Sequence, residues 1–344
     1  MGDLGARSGD SAGDVPFDGF GLDYCMIPFR QNNDFSLIQS TDFFYPLIED
    51  PFKMGKIACA NVLSDVYASG LTTLISIQMI LSTCTRIEDE NIRNEVVRLL
   101  IAGFDETATE AGLHVGHLFL GPNPWIIVGG VATAIHGPLD SVMTNDNASI
   151  GDVLILTKPL GTQVAANLHQ WMVNDDERWK SLKLYLDKDD VSKAYERAIS
   201  SMMRLNKSAA SLMLKYKATA ATDVTGFGLI GHADNLIKRQ KNRGIQFSIR
   251  VLPIIQCMQL VNNMMKNMFK LLEGKSAETS GGLLIALPPD AASQYCQEIN
   301  EIEGRRAYII GVVCKNSNSQ CNEVTIIDEV DVLEVPMNKD QMFV

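Results

Sequence analysis

The sequence predicts an α+β protein made of two mixed α/β domains. Segments with strand-like and helical periodicity alternate along a chain of 344 residues, which is enough for two ordinary domains. A polar, turn-rich stretch at 137–151 interrupts this alternation, so we place the domain boundary there. The expected segments are a disordered leader over 1–20, an N-terminal domain over 21–147 and a C-terminal α/β domain over 148–344.

In the expected N-terminal domain, the spacing of apolar residues distinguishes strands from helices. Three segments rich in apolar and β-branched residues predict strands, namely 36–44, 74–81 and 125–135. A helix is expected over 52–69, because apolar side chains recur there at steps of three and four and Gly70 follows as a stop signal. A second helix is expected from the capping-box pattern at Thr85–Glu88 to about Glu110.

The expected C-terminal domain carries the same two patterns. Five segments predict strands, namely 152–157, 246–252, 281–287, 307–313 and 323–327. Four segments predict helices, namely 189–217, 229–239, the Met-rich 254–272, and 288–302. Asp223 is expected in the loop before the second of these helices.

The overall charge restricts the classes of partner. Lys and Arg total 30 against 41 Asp and Glu, which gives a net charge of −11. Nucleic acids and anionic membranes both attract basic surfaces, so neither is an expected partner. No run of 18 apolar residues occurs, so no membrane span is predicted. The seven cysteines are scattered and odd in number, which favours a reducing, cytoplasmic location.

Four aspartates beside small residues or at strand ends are candidate metal ligands: Asp23, Asp42, Asp65 and Asp223. Isolated carboxylates of this kind suit hard cations such as Mg²⁺, which can hold a polyphosphate in an acidic protein. Asn61 and Asp65 share one face of the expected helix, one turn apart. Three of these acids also have a structural alternative: Asp23 as a turn cap, Asp42 as a strand-end acid and Asp65 as the partner of a helix N-terminus.

The sequence contains no convincing nucleotide-binding loop. Gly226–Gly231 matches the G-x-G-x-x-G pattern, but 215–221 before it is a poor buried strand and 246–251 after it carries no acid. We therefore reject a dinucleotide site. The Walker-type phosphate loop and the kinase and Ser-His-Asp signatures are absent from the sequence. Any ATP would be held through metal and carboxylates, and no catalytic side chain is assigned.

Five motifs together resemble a known family. They are TDFFYPL at Thr41–Leu47, GKIACANVLSD at Gly55–Asp65, LTKPLGTQVA at Leu156–Ala165, ATDVTGFG at Ala221–Gly228 and ETSGGLL at Glu278–Leu284. These segments resemble eukaryotic selenophosphate synthetase (selenide, water dikinase), over about Gly21 to Val335. The sequence looks closest to the animal paralogue that lacks a Cys or selenocysteine nucleophile.

The resemblance implies a two-domain fold of the aminoimidazole ribonucleotide synthetase type, with a homodimer built through the N-terminal domains. It implies Mg²⁺ and ATP, and conversion of ATP, selenide and water into selenophosphate, AMP and phosphate. The family's metal-binding aspartates match Asp23, Asp42, Asp65 and Asp223. Its ATP-contacting positions match Gly21, Leu22, Asp23, Asp42 and Asp65.

The sequence departs from the family pattern in two places. The family has a glycine-rich N-terminal loop with a Cys or selenocysteine and an ATP-contacting lysine, whereas residues 1–20 contain no Cys and no Lys. A phosphate-contacting Gly-Gly pair is replaced by His117 and Leu118, whose side chains would crowd a phosphate.

Two hypotheses about function follow from these departures. One is a synthetase with reduced or lost activity; the other is a pseudoenzyme that regulates selenium or redox metabolism, as a homodimer or a heterodimer with an active paralogue.

Overall fold

The computed structural model describes residues 25–29, 32–137, 145–317 and 320–337. The strands are β1 Cys25–Phe29, β2 Asn32–Phe44, β3 Ser76–Cys84, β4 Val115–Asn123, β5 Val128–His136, β6 Val153–Leu156, β7 Ala220–Asp223, β8 Ile245–Ile255, β9 Leu283–Leu287, β10 Tyr308–Lys315 and β11 Glu323–Val335. The helices are α1 Pro51–Ala68, α2 Glu90–Ala111, α3 Thr162–Val173, α4 Glu177–Leu182, α5 Lys188–Met202, α6 Lys207–Lys215, α7 Gly228–Lys238, α8 Met258–Met264 and α9 Pro289–Glu303. The elements form two sheets with flanking helices, which confirms the predicted two-domain, mixed α/β architecture.

The N-terminal sheet has the strand order β1-β2-β5-β3-β4, in which only the β3–β4 pair is parallel. Alternate side chains of its strands, such as Ile38 and Ala132, are buried beneath α1. The side chains of Ile27, Leu37 and Ile135 form a row across three strands on the opposite face. Ile27 and Ile135 are 44% and 41% exposed, so this apolar row is left uncovered by the part of the chain that the structure describes.

Helices α1 and α2 pack closely because two glycines lie at their contact. A Cβ atom at Gly103 would lie 1.9 Å from the carbonyl oxygen of Phe52, and one at Gly55 would lie 2.1 Å from that of Leu100. Only glycine allows the backbones to approach this far. The contact sets the position of α1, which carries Asn61 and Asp65 towards the second domain.

The C-terminal sheet has the order β11-β8-β10-β6-β9-β7, and only β11–β8 is parallel. Strand β9 is buried along its whole length, as its unbroken apolar sequence predicts. None of the helices in the described ranges combines the length and apolar composition needed to cross a bilayer.

Several predicted elements differ in the structure. Helix α2 starts after Asp89, whose carboxylate accepts from the backbone N–H groups of Asn91 and Ile92 at 2.8 and 3.2 Å, so the capping box at Thr85 is wrong. The Met-rich helix is confined to α8, because Lys266, Asn267 and Lys270 have positive φ. Asp223 ends strand β7 rather than lying in a loop.

The helix expected at 189–217 is two helices, α5 and α6. The carbonyl of Arg204 between them accepts from Lys158 Nζ at 2.7 Å. Asn206 Nδ2 donates to Ser64 Oγ at 3.0 Å and to the carbonyl of Gly281 at 2.9 Å. These partners are distant in sequence, so local periodicity could not reveal the break. Strands β1, β4 and β7 and helices α3 and α4 were not predicted.

Candidate functional site

A pocket of about 380 Å³ lies where the two domains meet. The N-terminal domain contributes residues from the end of β2 and from α1, and the C-terminal domain contributes two loops and His232 of α7. The lining residues are Thr41, Asp42, Phe43, Phe44, Asn61, Asp65, Thr225, Gly226, Phe227, His232, Glu278 and Thr279. Two of the four predicted metal ligands, Asp42 and Asp65, are therefore brought together.

Asn61 connects the carboxylates to the second domain. Its Nδ2 donates to Asp42 Oδ2, and its Oδ1 accepts from the backbone N–H of Ser280 at 2.8 Å. The other oxygen of Asp42 accepts from the N–H of Phe43 at 2.8 Å, and Asp65 accepts from the hydroxyl of Ser40. Asn61 is only 4% exposed. Its side-chain amide is held in place by hydrogen bonds to Asp42 in one domain and Ser280 in the other.

The predicted aspartates do not all reach this pocket. Asp223 is 1% exposed at the end of β7 and does not line the pocket, although Thr225, two residues later, does. Gly21, Leu22 and Asp23 lie outside the described residues. Within the described ranges, no three His, Cys, Asp or Glu side chains are grouped closely enough to hold a metal ion. The four-aspartate site remains a prediction.

The donors that are present nevertheless fit Mg²⁺ in chemical type. Asp42 and Asp65 offer carboxylate oxygens, which are hard ligands. Mg²⁺ in nucleotide sites is commonly held by one or two carboxylates, with phosphate and water completing the octahedron. Two carboxylates that line one pocket are therefore enough protein ligands for a Mg²⁺ ion that also binds phosphate and water.

Glu278 is a buried carboxylate at the pocket that the sequence argument did not single out. It accepts from the N–H groups of Gly161 and Thr162 at 2.6 and 3.0 Å and from the Thr162 hydroxyl. Burial raises its pKa to about 7, while these hydrogen bonds act in the opposite direction. Its partners precede it by more than one hundred residues, so the only local sign was its place in the ETSGGLL motif.

Lys158 is a buried lysine that supports the same loop. Its Nζ donates to the carbonyls of Ser280 and Arg204 at 2.8 and 2.7 Å. Burial is the main cause that holds its pKa well below the usual range. The segment Glu278–Gly281 is thus anchored by Glu278 to α3, by the Ser280 carbonyl to Lys158 and by the Ser280 N–H to Asn61.

The second loop at the pocket is held by His232 on α7. Its Nε2 accepts from the backbone N–H of Phe227 at 3.3 Å and lies 3.1 Å from Thr225 Oγ1. Because Nε2 accepts from a backbone donor, the ring proton is on Nδ1. Gly228 begins α7 with φ of 70°, and a Cβ there would lie 2.6 Å from the Gly274 carbonyl, so this glycine is needed for packing.

Two family models match the chain in succession. The N-terminal domain of AIR synthase related protein matches residues 22–135, and the C-terminal domain of that family matches 149–322. Solved structures with this fold include AaThiL complexed with AMPPCP and TMP, at a TM-score of 0.64 and 17% identity over 91% of this chain and 89% of that one. E. coli HypE, a hydrogenase maturation protein, has a TM-score of 0.60 and 18% identity over 84% and 81%.

Sequence relatives identify the family more closely. Selenide, water dikinase 2 of Homo sapiens is 48% identical over 93% of this chain and 70% of its own length. Selenide, water dikinase of Dictyostelium discoideum is 44% identical over 93% of this chain and 88% of its own length. With this identity, a shared two-domain fold and the motif acids Asp42 and Asp65 in one pocket, the chain belongs to the selenide, water dikinase family.

Proposed function

We propose that the chain is a Mg²⁺-dependent phosphotransferase that converts ATP, selenide and water into selenophosphate, AMP and phosphate. The observation that carries the proposal is the interdomain pocket in which Asp42, Asn61 and Asp65 converge. Like charges of carboxylate and triphosphate repel unless divalent ions lie between them. The pocket therefore suits a nucleotide only together with its metal.

In this proposal, Asp42 and Asp65 hold Mg²⁺, which neutralises charge on the transferring phosphoryl group. Asn61 keeps Asp42 in one orientation, because its amide is fixed by Ser280. Asp23 and Asp223 complete the metal set, and Gly21 and Leu22 contact the nucleotide. The AMPPCP complex of a ThiL protein with the same fold supports nucleotide binding by this architecture.

The second candidate function is that of a pseudoenzyme. It is favoured by His117 and Leu118 in place of a glycine pair. Such a protein would keep the nucleotide site and act through dimerisation, with itself or with an active paralogue. The uncovered row of Ile27, Leu37 and Ile135 supports an interface on the N-terminal domain.

One experiment separates the two functions. The purified chain is incubated with ATP, Mg²⁺ and selenide, and AMP is measured with and without selenide. Selenide-dependent AMP would contradict the pseudoenzyme, whereas bound ATP with no AMP would contradict the synthetase.

Calorimetric titration of Mg²⁺–ATP tests the metal assignment in either case. We expect Asp42→Asn and Asp65→Asn to weaken binding by about tenfold or more, since each removes a charged ligand oxygen. Asp290→Asn, on the exposed surface of α9, is the matched control and should leave the affinity unchanged. Unchanged affinity in both pocket variants would show that these acids do not hold the metal.

A further inference from the structure

A separate basic pocket lies on the C-terminal domain. It has a volume of about 370 Å³ and is formed by one face of α5 and the segment that precedes β10. Its polar lining residues are Ser192, Lys193, Glu196, Arg197, Ser200 and Arg305. None of them lines the pocket that contains Asp42 and Asp65. Any ligand of this pocket would therefore bind away from the site of the proposed reaction.

Arg197 is the central residue of this pocket. It is 6% exposed, and its enclosed Nε meets no hydrogen-bond partner in the part of the chain that the structure describes. Glu196, the acid beside it in sequence, is paired instead with Lys53 of the N-terminal domain at 3.0 Å. Buried guanidinium groups are normally paired, because burial without an acceptor is costly. Arg197 thus lines the pocket with an enclosed Nε that has no acceptor among the described residues.

Arg305 provides a second guanidinium in the same pocket. It donates from a terminal nitrogen to Ser200 Oγ at 3.0 Å, which leaves the hydroxyl proton of Ser200 available for another acceptor. Burial lowers the pKa of Arg305, as expected for a cation in a site that lacks a compensating charge. The remaining cation, Lys193, pairs with Asp189 on the surface of α5.

We propose that this pocket binds a phosphate-class dianion, with Arg197 and Arg305 as the charged donors and the hydroxyl of Ser200 as a third. Planar guanidinium groups match the oxygens of phosphate and form short, charge-assisted hydrogen bonds with them. The one acid in the lining, Glu196, is neutralised by Lys53, so the pocket keeps a positive charge. Its size admits orthophosphate or a small phosphomonoester.

Calorimetric titration of the full chain in a dilute chloride buffer tests the site, with orthophosphate and glycerol 2-phosphate as probes. We expect saturable binding of one anion per chain, weakened by about tenfold or more in Arg305→Gln and in Arg197→Gln, because each loses a charge-assisted hydrogen bond. Arg250→Gln removes the same charge from an exposed position on β8 and should bind as the parent does. Asp65→Asn should also retain binding, since that residue belongs to the other pocket.

The outcomes separate the alternatives. Tighter binding of one probe identifies the free ion or the monoester as the ligand, and either supports the site. No binding to the parent chain, or an equal loss in Arg250→Gln, overturns the proposal. Arg305 is only partly buried, so Arg305→Gln is expected to fold. The affinity of this variant for phosphate therefore tests the proposal even if Arg197→Gln fails to fold. Loss of Mg²⁺–ATP binding with phosphate binding intact would overturn the proposed function alone.

Discussion

At the scale of single residues, Glu278 makes the stability of the protein depend on pH. Its pKa is 4.5 in the reference state and about 7 when buried in the fold. Between these values the folded state binds more protons than the unfolded state, so the free energy of unfolding falls as pH rises. The stabilisation is complete below the reference pKa and is lost as pH passes through about 7.

We therefore predict that Glu278→Gln flattens the dependence of stability on pH. The free energy of unfolding of the parent should decrease by up to about 3 kcal/mol across this window because of Glu278. Urea unfolding at several pH values between 5 and 8 measures the slope. Glu301→Gln, at an exposed position of α9, should keep the parent slope. An identical slope in Glu278→Gln would mean that Glu278 does not titrate in this range.

At the same scale, the two carboxylates of the pocket were recognisable from sequence and their supporting residues were not. Helical periodicity placed Asn61 and Asp65 on one face of α1, and they do line one pocket. Glu278 and Lys158 could not be assigned, because their partners lie more than one hundred residues away. Local patterns contain no information about such pairs.

At the scale of elements, the α1–α2 contact determines where the pocket residues of α1 lie. Gly103 normally lowers helix stability relative to alanine, by roughly 1 kcal/mol. At this position, however, the added methyl group would overlap the carbonyl of Phe52. The cost of overpacking then exceeds the gain in helix propensity.

The expected result is that Gly103→Ala destabilises the fold by about 1–3 kcal/mol and weakens Mg²⁺–ATP binding, because α1 shifts. Asn94→Ala, on the exposed face of α2, raises helix propensity without a clash and should not destabilise. Thermal unfolding and calorimetry give the two quantities. A Gly103→Ala protein as stable as the parent would show that the helices can separate without cost.

Elements were predicted well where one periodicity governs the whole segment. α1, α7, α9 and β9 match their patterns closely. The prediction of one long helix over 189–217 was wrong because Lys158 and Asn206 make tertiary hydrogen bonds where the chain breaks between α5 and α6. These hydrogen bonds override the local helix propensity. The Met-rich helix was too long because apolar composition alone does not show where the backbone adopts positive φ.

At the scale of the whole molecule, the apolar row on the N-terminal sheet is the proposed surface for self-association. Ile27, Leu37 and Ile135 form an apolar row that no helix of the described residues covers. Burial of such a row between two copies would remove apolar area from water.

We predict that the proposed homodimer forms through this face and that Ile135→Glu converts it to monomers, since a charge would be buried at the interface. Sedimentation equilibrium measures the dissociation constant, which should rise by about tenfold or more. Ile302→Glu, an exposed isoleucine of α9, places the same charge outside this face and should leave it unchanged. If both variants dimerise as the parent does, the interface lies elsewhere.

The anchoring of Glu278–Gly281 also has a consequence for folding. Its hydrogen bonds to Gly161, Lys158 and Asn61 join positions 117, 122 and 219 residues apart. Contacts of such long sequence separation close large loops and form late. The pocket can therefore exist only after both domains have folded and docked, and a nucleotide that binds there stabilises completed molecules alone. Nucleotide would then protect newly made chains from proteolysis only after this last step.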